Sequence, residues 1–433
     1  MQHIQGISRH QLQMSSLEDK ITADNPVRFI DAFVNHIDAV KIGFQPKILK
    51  TEGRPNFRLE VFLKLYLYGY LNGVRSSRRL EKECFRNIEV QWLLEAIYPN
   101  YHSIADFRKD NPKALKQLFK LFVSFLKDAE LIAGDTIAID GTKSRAHNSK
   151  KANYNQKKID KHKAYIDAKS QEYLDQLEQN DIQENPVVIK NIQQKIEGLK
   201  QNKIKYELLE EELKNSGEPQ ISTTDADARA LLVQGQVVEV SYNIQAAVDS
   251  KHNLVVATHT INRNDKNALA AIALEVKENL ALETFTVLVD KGYHNGRELH
   301  TCKQNNITTI VAVPEQGKSN ENGTQPEYLV SKFIYNKENN SYTCPEGKTL
   351  TTTGRWHKKT GRTEESGYMF QKYRTPACKT CLVKGLCTSR NGGREIDRSQ
   401  YADAVEENHQ RYKDNPQLYR KRQEINEHIF GTI

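Results

Sequence analysis

Residues 135–151 read DTIAIDGTKSRAHNSKK, and this stretch decides the fold. Thr136, Ile137, Ala138 and Ile139 form a short β-branched, apolar run, the mark of a buried strand. The run ends on Asp140, a carboxylate that is costly to bury unless something cancels its charge. A hard divalent cation is the usual partner of such an acid, and it would also draw in a phosphate. Beyond the acid the chain turns basic, with Lys143, Arg145, Lys150 and Lys151. A strand-end Asp that only caps a turn is the plainer alternative.

A second copy of the pattern tips that balance. Residues 284–293 read TFTVLVDKGY, where the apolar run Phe285 to Val289 delivers Asp290, followed by Lys291 and Gly292. Two buried-type strands that each end in Asp place two carboxylates at one rim of a sheet. A two-metal site then wants a third acid. Glu427 is the candidate, in the stretch INEHIFG (425–431) of a C-terminal helical pattern that also carries Tyr419, Arg420, Lys421 and Arg422.

With these residues in hand, the chain resembles the DDE transposases of bacterial insertion sequences. The resemblance rests on IAIDGTKSRAHNS, STTDADAR, YNIQAAVD, VLVDKGYHNG and EHIFGTI, five phrases in order, and runs from about Asn56 to the end. A Cys-bearing segment before the glutamate matches the branch with an insert there. The resemblance implies an α/β fold: an RNase H-like mixed-sheet core with an N-terminal all-helical domain, a helical-hairpin insertion and a Cys-containing insert. It also implies metal-dependent DNA cleavage and strand transfer, with Asp140, Asp290 and Glu427 as catalytic residues and metal ligands.

The chemistry expected of that trio follows from the phosphodiester. Two Mg²⁺ ions about 3.5–4 Å apart, with Mn²⁺ as a substitute, would be bridged by Asp140 and held singly by Asp290 and Glu427. Hard cations take oxygen ligands, so His147 and His294 read as phosphate or structural contacts. In the family a Tyr and a basic residue precede the glutamate and touch phosphate. Tyr419 and Arg422 are the nearest matches, each one residue further from Glu427 than the common spacing. A Lys usually follows seven residues after the glutamate, one place past Ile433, so a truncated or divided copy is the expectation. Lys143, Arg145 and Lys291, beside the two aspartates, join the expected DNA and phosphate contacts.

Four segments are expected. Residues 1–131 form an N-terminal helical, DNA-end-binding domain. Within it Asp24-Asn25-Pro26 starts a helix, and Phe29, Phe33, Ile37 and Val40 make its packing stripe. Leu59, Phe62, Leu63, Tyr66, Leu67 and Tyr70 make a second stripe, and Ser76 and Ser77 can cap a third helix carrying Arg78 and Arg79. Arg75, Arg78, Arg79 and Arg86 suit phosphate contact in a helix-turn-helix reader, although a bundle that only packs on the core fits equally. Residues 132–313 form the catalytic core, interrupted at 152–218 by an antiparallel helical hairpin. Its rhythm is Ile159, Ile166, Tyr173, a break at Asn185-Pro186, then Ile189, Ile192, Ile196 and Leu199. With the hairpin removed, the core reads β-β-β-α-β-α-β.

Residues 314–399 are loops and short strands carrying Cys344, Cys378, Cys381 and Cys387, a candidate zinc ribbon. Free or partly paired thiols are the alternative, because only one Cys-x-x-Cys pair is present. Cys84 and Cys302 read as core residues. Residues 400–433 hold the C-terminal helix.

A formal net charge of +8 makes nucleic acid a natural partner. The 55 acidic residues nearly balance 63 Lys and Arg, so the basicity is local. Six Cys in 433 residues suit a reducing cytosol, and neither a signal peptide nor a membrane-length apolar run is present. The expected partners are double-stranded DNA (terminal inverted repeats and target) and a second copy of the chain on synapsis, in the cytoplasm at the nucleoid. A metal-dependent nuclease without strand transfer and a DNA-binding protein with a dead core are the rival readings.

Overall fold

Apolar runs that end in acids need neighbours on both flanks, and in a computed structural model they find them. The structure describes residues 8, 10–12, 14–45, 55–146, 150–181, 186–234, 237–314, 324–361 and 367–431. His147 and Asn185 lie outside these residues. The chain divides into two compact units, residues 1–125 and 126–433.

The first unit is helical: α1 (Pro26–His36), α2 (Leu59–Leu71), α3 (Ser77–Arg86), α4 (Ile88–Leu93), α5 (Tyr101–Asp110) and α6 (Pro112–Asp128), whose last turn passes the division. Asn25 caps α1 as expected, its side chain accepting the Val27 N–H at 3.0 Å. Ser76 holds the N-cap position of α3, with no hydrogen bond from the helix to its side chain. The α1 stripe is met in part, with Phe33 and Ile37 packed against the core. The buried face is Val27, Ile30 and Val34, while Phe29 and Val40 are exposed. Both sets recur at helical spacing, and only the shape of α2 and α4 selects between them. α2 is buried nearly all round, from Val61 to Tyr66, because its sequence is apolar on every side. Of its expected stripe only Tyr70 is exposed.

The second unit is built on a mixed sheet. β1 (Thr136–Arg145) is followed by β2 (Asn153–Tyr154), the hairpin α7 (Gln156–Asp181) and α8 (Pro186–Ser216), β3 (Ile221–Ser222), β4 (Arg229–Gln234), β5 (Val237–Asp249) and β6 (Val255–Ile261). Then come α9 (Leu269–Asn279), β7 (Phe285–Val289), α10 (Gly296–Gln304) and β8 (Ile307–Val311). β5 runs antiparallel to β1, with β4 and β6 both on its far side, while β7 and β8 run parallel to β1 in the order β5-β1-β7-β8. This is the β-β-β-α-β-α-β order of the RNase H-like core.

The hairpin buries Ile159, Ile166, Ile192, Ile196, Leu209 and Leu213. Ion pairs lace its flanks, Lys163 to Glu210 at 2.9 Å and Lys203 to Asp167 at 2.7 Å, and β2 pairs with β3 at its base.

The Cys-containing insert is a five-stranded antiparallel sheet: β9 (Ile334–Asn336), β10 (Ser341–Thr343), β11 (Thr349–Lys359), β12 (Tyr368–Arg374), then the short α11 (Lys384–Cys387) and β13 (Ile396–Ser399). Phe333, Tyr342, Leu350, Tyr373 and Ile396 form its core. The chain returns to the main sheet in α12 (Ala402–Asp414) and α13 (Pro416–Phe430). α13 lies on β1 and β7, where Ile425 packs with Ala138, Val248, Leu288 and Ile310. Burying such a side chain stabilises by about 1.5–3 kcal/mol, so α13 is fixed on this face of the sheet. Among the described residues no helix is long and apolar enough to cross a membrane. Cys84 and Cys302 are buried core residues as expected, and burial pushes both thiols up to about 12.

Candidate active site

The register of two strands builds the site. β1 and β7 pair Thr136 with Thr286, Ile137 with Val287 and Ala138 with Leu288. The pairing ends there: β7 stops at Val289 and Asp290 begins the turn that follows, close enough to Asp140 for its charge to act on that carboxyl. Side chains alternate along a strand, so Asp140 shares the face of Ala138, which α13 covers.

Asp140 is half-buried. Its Oδ1 accepts the Gly141 N–H at 2.8 Å, and its Oδ2 accepts Arg422 Nη1 at 3.0 Å. Burial pushes its pKa up, and the fields of Asp290 and Asp265 add to this, while the Gly141 N–H and the Arg422 charge oppose it. Asp290 caps the turn at Lys291–Tyr293, accepting the Gly292 N–H at 2.8 Å. Lys291 beside it is exposed.

α13 delivers the two expected phosphate contacts. Arg422 is largely buried on Asp140, with its Nε unpartnered, and its guanidinium carbon lies 5.8 Å from the centre of the Tyr419 ring. Tyr419 meets Tyr412 of α12 edge-on at 4.9 Å, which ties the two helices together. Glu427 does not join them. It is exposed, two residues on from buried Ile425, and so about 200° around a helix of 3.6 residues per turn. The side chain in phase with Tyr419 and Arg422 is Asn426, which is 2% exposed with neither Oδ1 nor Nδ2 hydrogen-bonded. It also occupies the spacing from Tyr419 and Arg422 that the resemblance gives to an acid. Among the described residues no three His, Cys, Asp or Glu side chains form a ready metal-holding group.

Behind β1 lies a network that the sequence reading missed. Gly141 and Lys143 point to the face opposite Asp140, with Asn243 and Gln245 of β5 opposite them in register. Gln245 Nε2 donates to Asn243 Oδ1 and to Asp265 Oδ1, both at 2.9 Å. Asn243 Nδ2 donates to Asp265 Oδ1 at 2.7 Å, and Lys143 Nζ reaches it at 3.2 Å. Buried Tyr293 donates its hydroxyl to Gln245 Oε1. Burial alone would raise the Asp265 pKa, but Asn243, Lys143 and Gln245 outweigh it and hold the carboxyl below its usual value. The signal was available: Asn243 and Gln245 are two amides two apart, on one face of a strand whose neighbours Ala246, Ala247 and Val248 are apolar, and buried amides require polar partners.

The remaining expected contacts fall elsewhere. Lys143 is committed to Asp265 and largely buried, rather than open to DNA. Arg145 is exposed and paired with Glu239. His294 is half-buried, its Nε2 has no partner, and burial pushes its pKa down. Arg78 and Arg79 are exposed on α3, with Arg78 5.1 Å from the Tyr101 ring centre, while Arg86 is paired with Glu83.

Comparison with known families agrees at both ends of the chain. Residues 15–110 match the family described as Transposase domain (DUF772), and residues 343–433 match the family described as Transposase DDE domain. Neither a curated protein nor a solved structure matches the chain.

Proposed function

The chain belongs to the DDE transposases of insertion sequences, and on that premise we propose that it cuts DNA at the ends of its own element and joins them to a target through a site centred on Asp140 and Asp290. The reading is supported by the parallel pairing of β1 and β7, which brings Asp140 and Asp290 near enough for the Asp290 charge to raise the Asp140 pKa. The donor set suits hard cations. Asp140 and Asp290 offer oxygens, and Arg422 already supplies Asp140 with the positive charge that its burial demands. Magnesium bound there, or manganese in its place, would supply Lewis-acid activation of the attacking oxygen and stabilisation of the leaving one.

The chain's own residues do the rest. Arg422 neutralises Asp140 before loading, and its donor fork then turns to the attacked phosphate. Tyr419, beneath that guanidinium, limits its swing. Lys291 lends its charge to the phosphate beside Asp290. Glu427 is the third acid of this reading, although its side chain is exposed, two residues on from buried Ile425. Exposed Arg78 and Arg79 bind the backbone of the terminal repeats. Synapsis of two ends implies a homodimer on double-stranded DNA, in the cytoplasm and at the nucleoid.

A second reading has one observation in its favour. With Glu427 facing solvent and Asn426 in its phase, the core binds DNA without cutting it. Incubating the protein with DNA bearing its element's ends in Mg²⁺ separates the two. Nicks lost in Asp140→Asn and Asp290→Asn support cutting, and a shifted but intact duplex supports binding alone. Joined products distinguish strand transfer from a simple nuclease.

A further inference from the structure

We propose that Cys344, Cys378, Cys381 and Cys387 form a structural tetrathiolate zinc site that holds the insert together. The inference rests on the insert alone and stands or falls separately from DNA cutting. All four thiols line one small cavity of about 30 Å³. They come from three places: Cys344 follows β10, Cys378 lies within the turn at Pro376–Thr380 after β12 with Cys381 just past it, and Cys387 ends α11.

The backbone around them is shaped for sulfur. The Lys348 N–H donates to Cys344 Sγ at 3.3 Å, and the Cys344 N–H donates back to the Lys348 carbonyl at 2.9 Å. This closes a tight turn that uses Gly347 at φ +70°. An N–H aimed at a cysteine sulfur favours the thiolate. Gly393, at φ +92°, passes so close to Cys378 that a Cβ there would stand 2.4 Å from the cysteine Cβ. A glycine at this turn lets the backbone before β13 pass directly against Cys378.

Charge fits as well. Zn²⁺ bound by four thiols releases four protons to solvent and leaves a net charge of −2. Lys348, Lys384 and Arg394 line the same cavity. Arg394 also donates to the Cys387 carbonyl at 3.3 Å. All four cysteines are free of disulfides. The four residues line the cavity, although among the described residues no three such side chains already form a metal-holding group; zinc would draw the thiolates in to the roughly 2.3 Å of a zinc–thiolate bond. The insert's own core is five side chains, few enough that a metal staple is the usual solution for a module this small.

The test is elemental analysis of the untagged full chain. About one zinc per chain is expected, released into a chromogenic chelator on mercurial titration of the thiols. Cobalt substitution should give thiolate-to-metal charge-transfer bands and tetrahedral d–d bands. Cys381→Ser and Cys387→Ser should lose the metal, while Cys302→Ser, in the core, should keep it. If either insert variant fails to fold, the wild-type metal content and cobalt spectrum still decide. The proposal is overturned by wild-type protein with no zinc that takes up none when it is supplied, or by a disulfide among the four cysteines.

Discussion

Replacing Gly141 by Ala tests whether the sheet behind Asp140 is as closely packed as its geometry says. A Cβ at Gly141 would stand 2.2 Å from Gln245 Nε2, 2.8 Å from Asn243 Oδ1 and 2.8 Å from Asp265 Oδ1. Asn243 and Gln245 are both 0% exposed, so neither amide can retreat into solvent. Overpacking of this kind costs about 1–3 kcal/mol. Moving the Gln245 amide also strains its bonds to Asn243 and Asp265, and a buried donor left unpaired costs about 1–3 kcal/mol more. Together the change should destabilise by about 2–6 kcal/mol, a large part of the roughly 5–15 kcal/mol that holds a native domain. Urea unfolding measures it as a lowered midpoint at constant slope. Gly198→Ala is the control, because a Cβ there meets nothing within 4 Å on α8 and should stabilise by about 0.5–1 kcal/mol. A loss below about 0.5 kcal/mol at Gly141 would refute the close network.

Further outcomes follow from other parts of the molecule. Glu395 is buried, which alone would raise its pKa, but hydrogen bonds from Lys372 and Arg390 and the field of Arg374 hold it down at about 2. A depressed carboxylate contributes stability that is present above its unfolded pKa and is lost as pH falls from about 4.5 through about 2. Glu395→Gln should therefore destabilise at pH 7 by up to about 3 kcal/mol and flatten the acid limb of a stability-versus-pH curve. An unchanged acid limb would show that the ion cluster contributes nothing. Arg78→Ala and Arg79→Ala should each weaken DNA binding and reduce the slope of log affinity against log salt by about one; unchanged slopes would remove α3 from the DNA surface. Glu427→Gln should abolish cutting and Asn426→Ala should largely spare it, and the reverse order would assign the site to Asn426.

What was legible in the sequence is what strand and helix periods record locally. β1 and β7 were readable because β-branched, apolar runs have few other uses, but β1 does not end on Asp140 as expected: it runs on to Arg145, paired with β5. The hairpin was readable from its repeating Ile residues. The phase of α13 was not. Tyr419, Arg422 and Glu427 sit on one helix, but which of them faces the sheet is set by Ile425 packing on Ala138 and Leu288, residues hundreds of positions away. The α1 stripe was legible only in part: Phe33 and Ile37 pack against the core, while Phe29 and Val40 are exposed. Lys143 and Arg145 were expected on DNA because they are basic beside Asp140; their acidic partners, Asp265 and Glu239, come from distant loops and strands. Asp265 escaped notice because it ends no apolar run.

The central claim is that Asp140 and Asp290 form one cation site, and Mn²⁺ binding followed by electron paramagnetic resonance tests it most directly. Wild type should bind Mn²⁺, Asp140→Asn and Asp290→Asn should each lose most of that affinity, and the double variant should lose little more, because residues of one site do not add. Wild type that binds no Mn²⁺, or an Asp290→Asn variant that binds it as wild type does, would contradict the account.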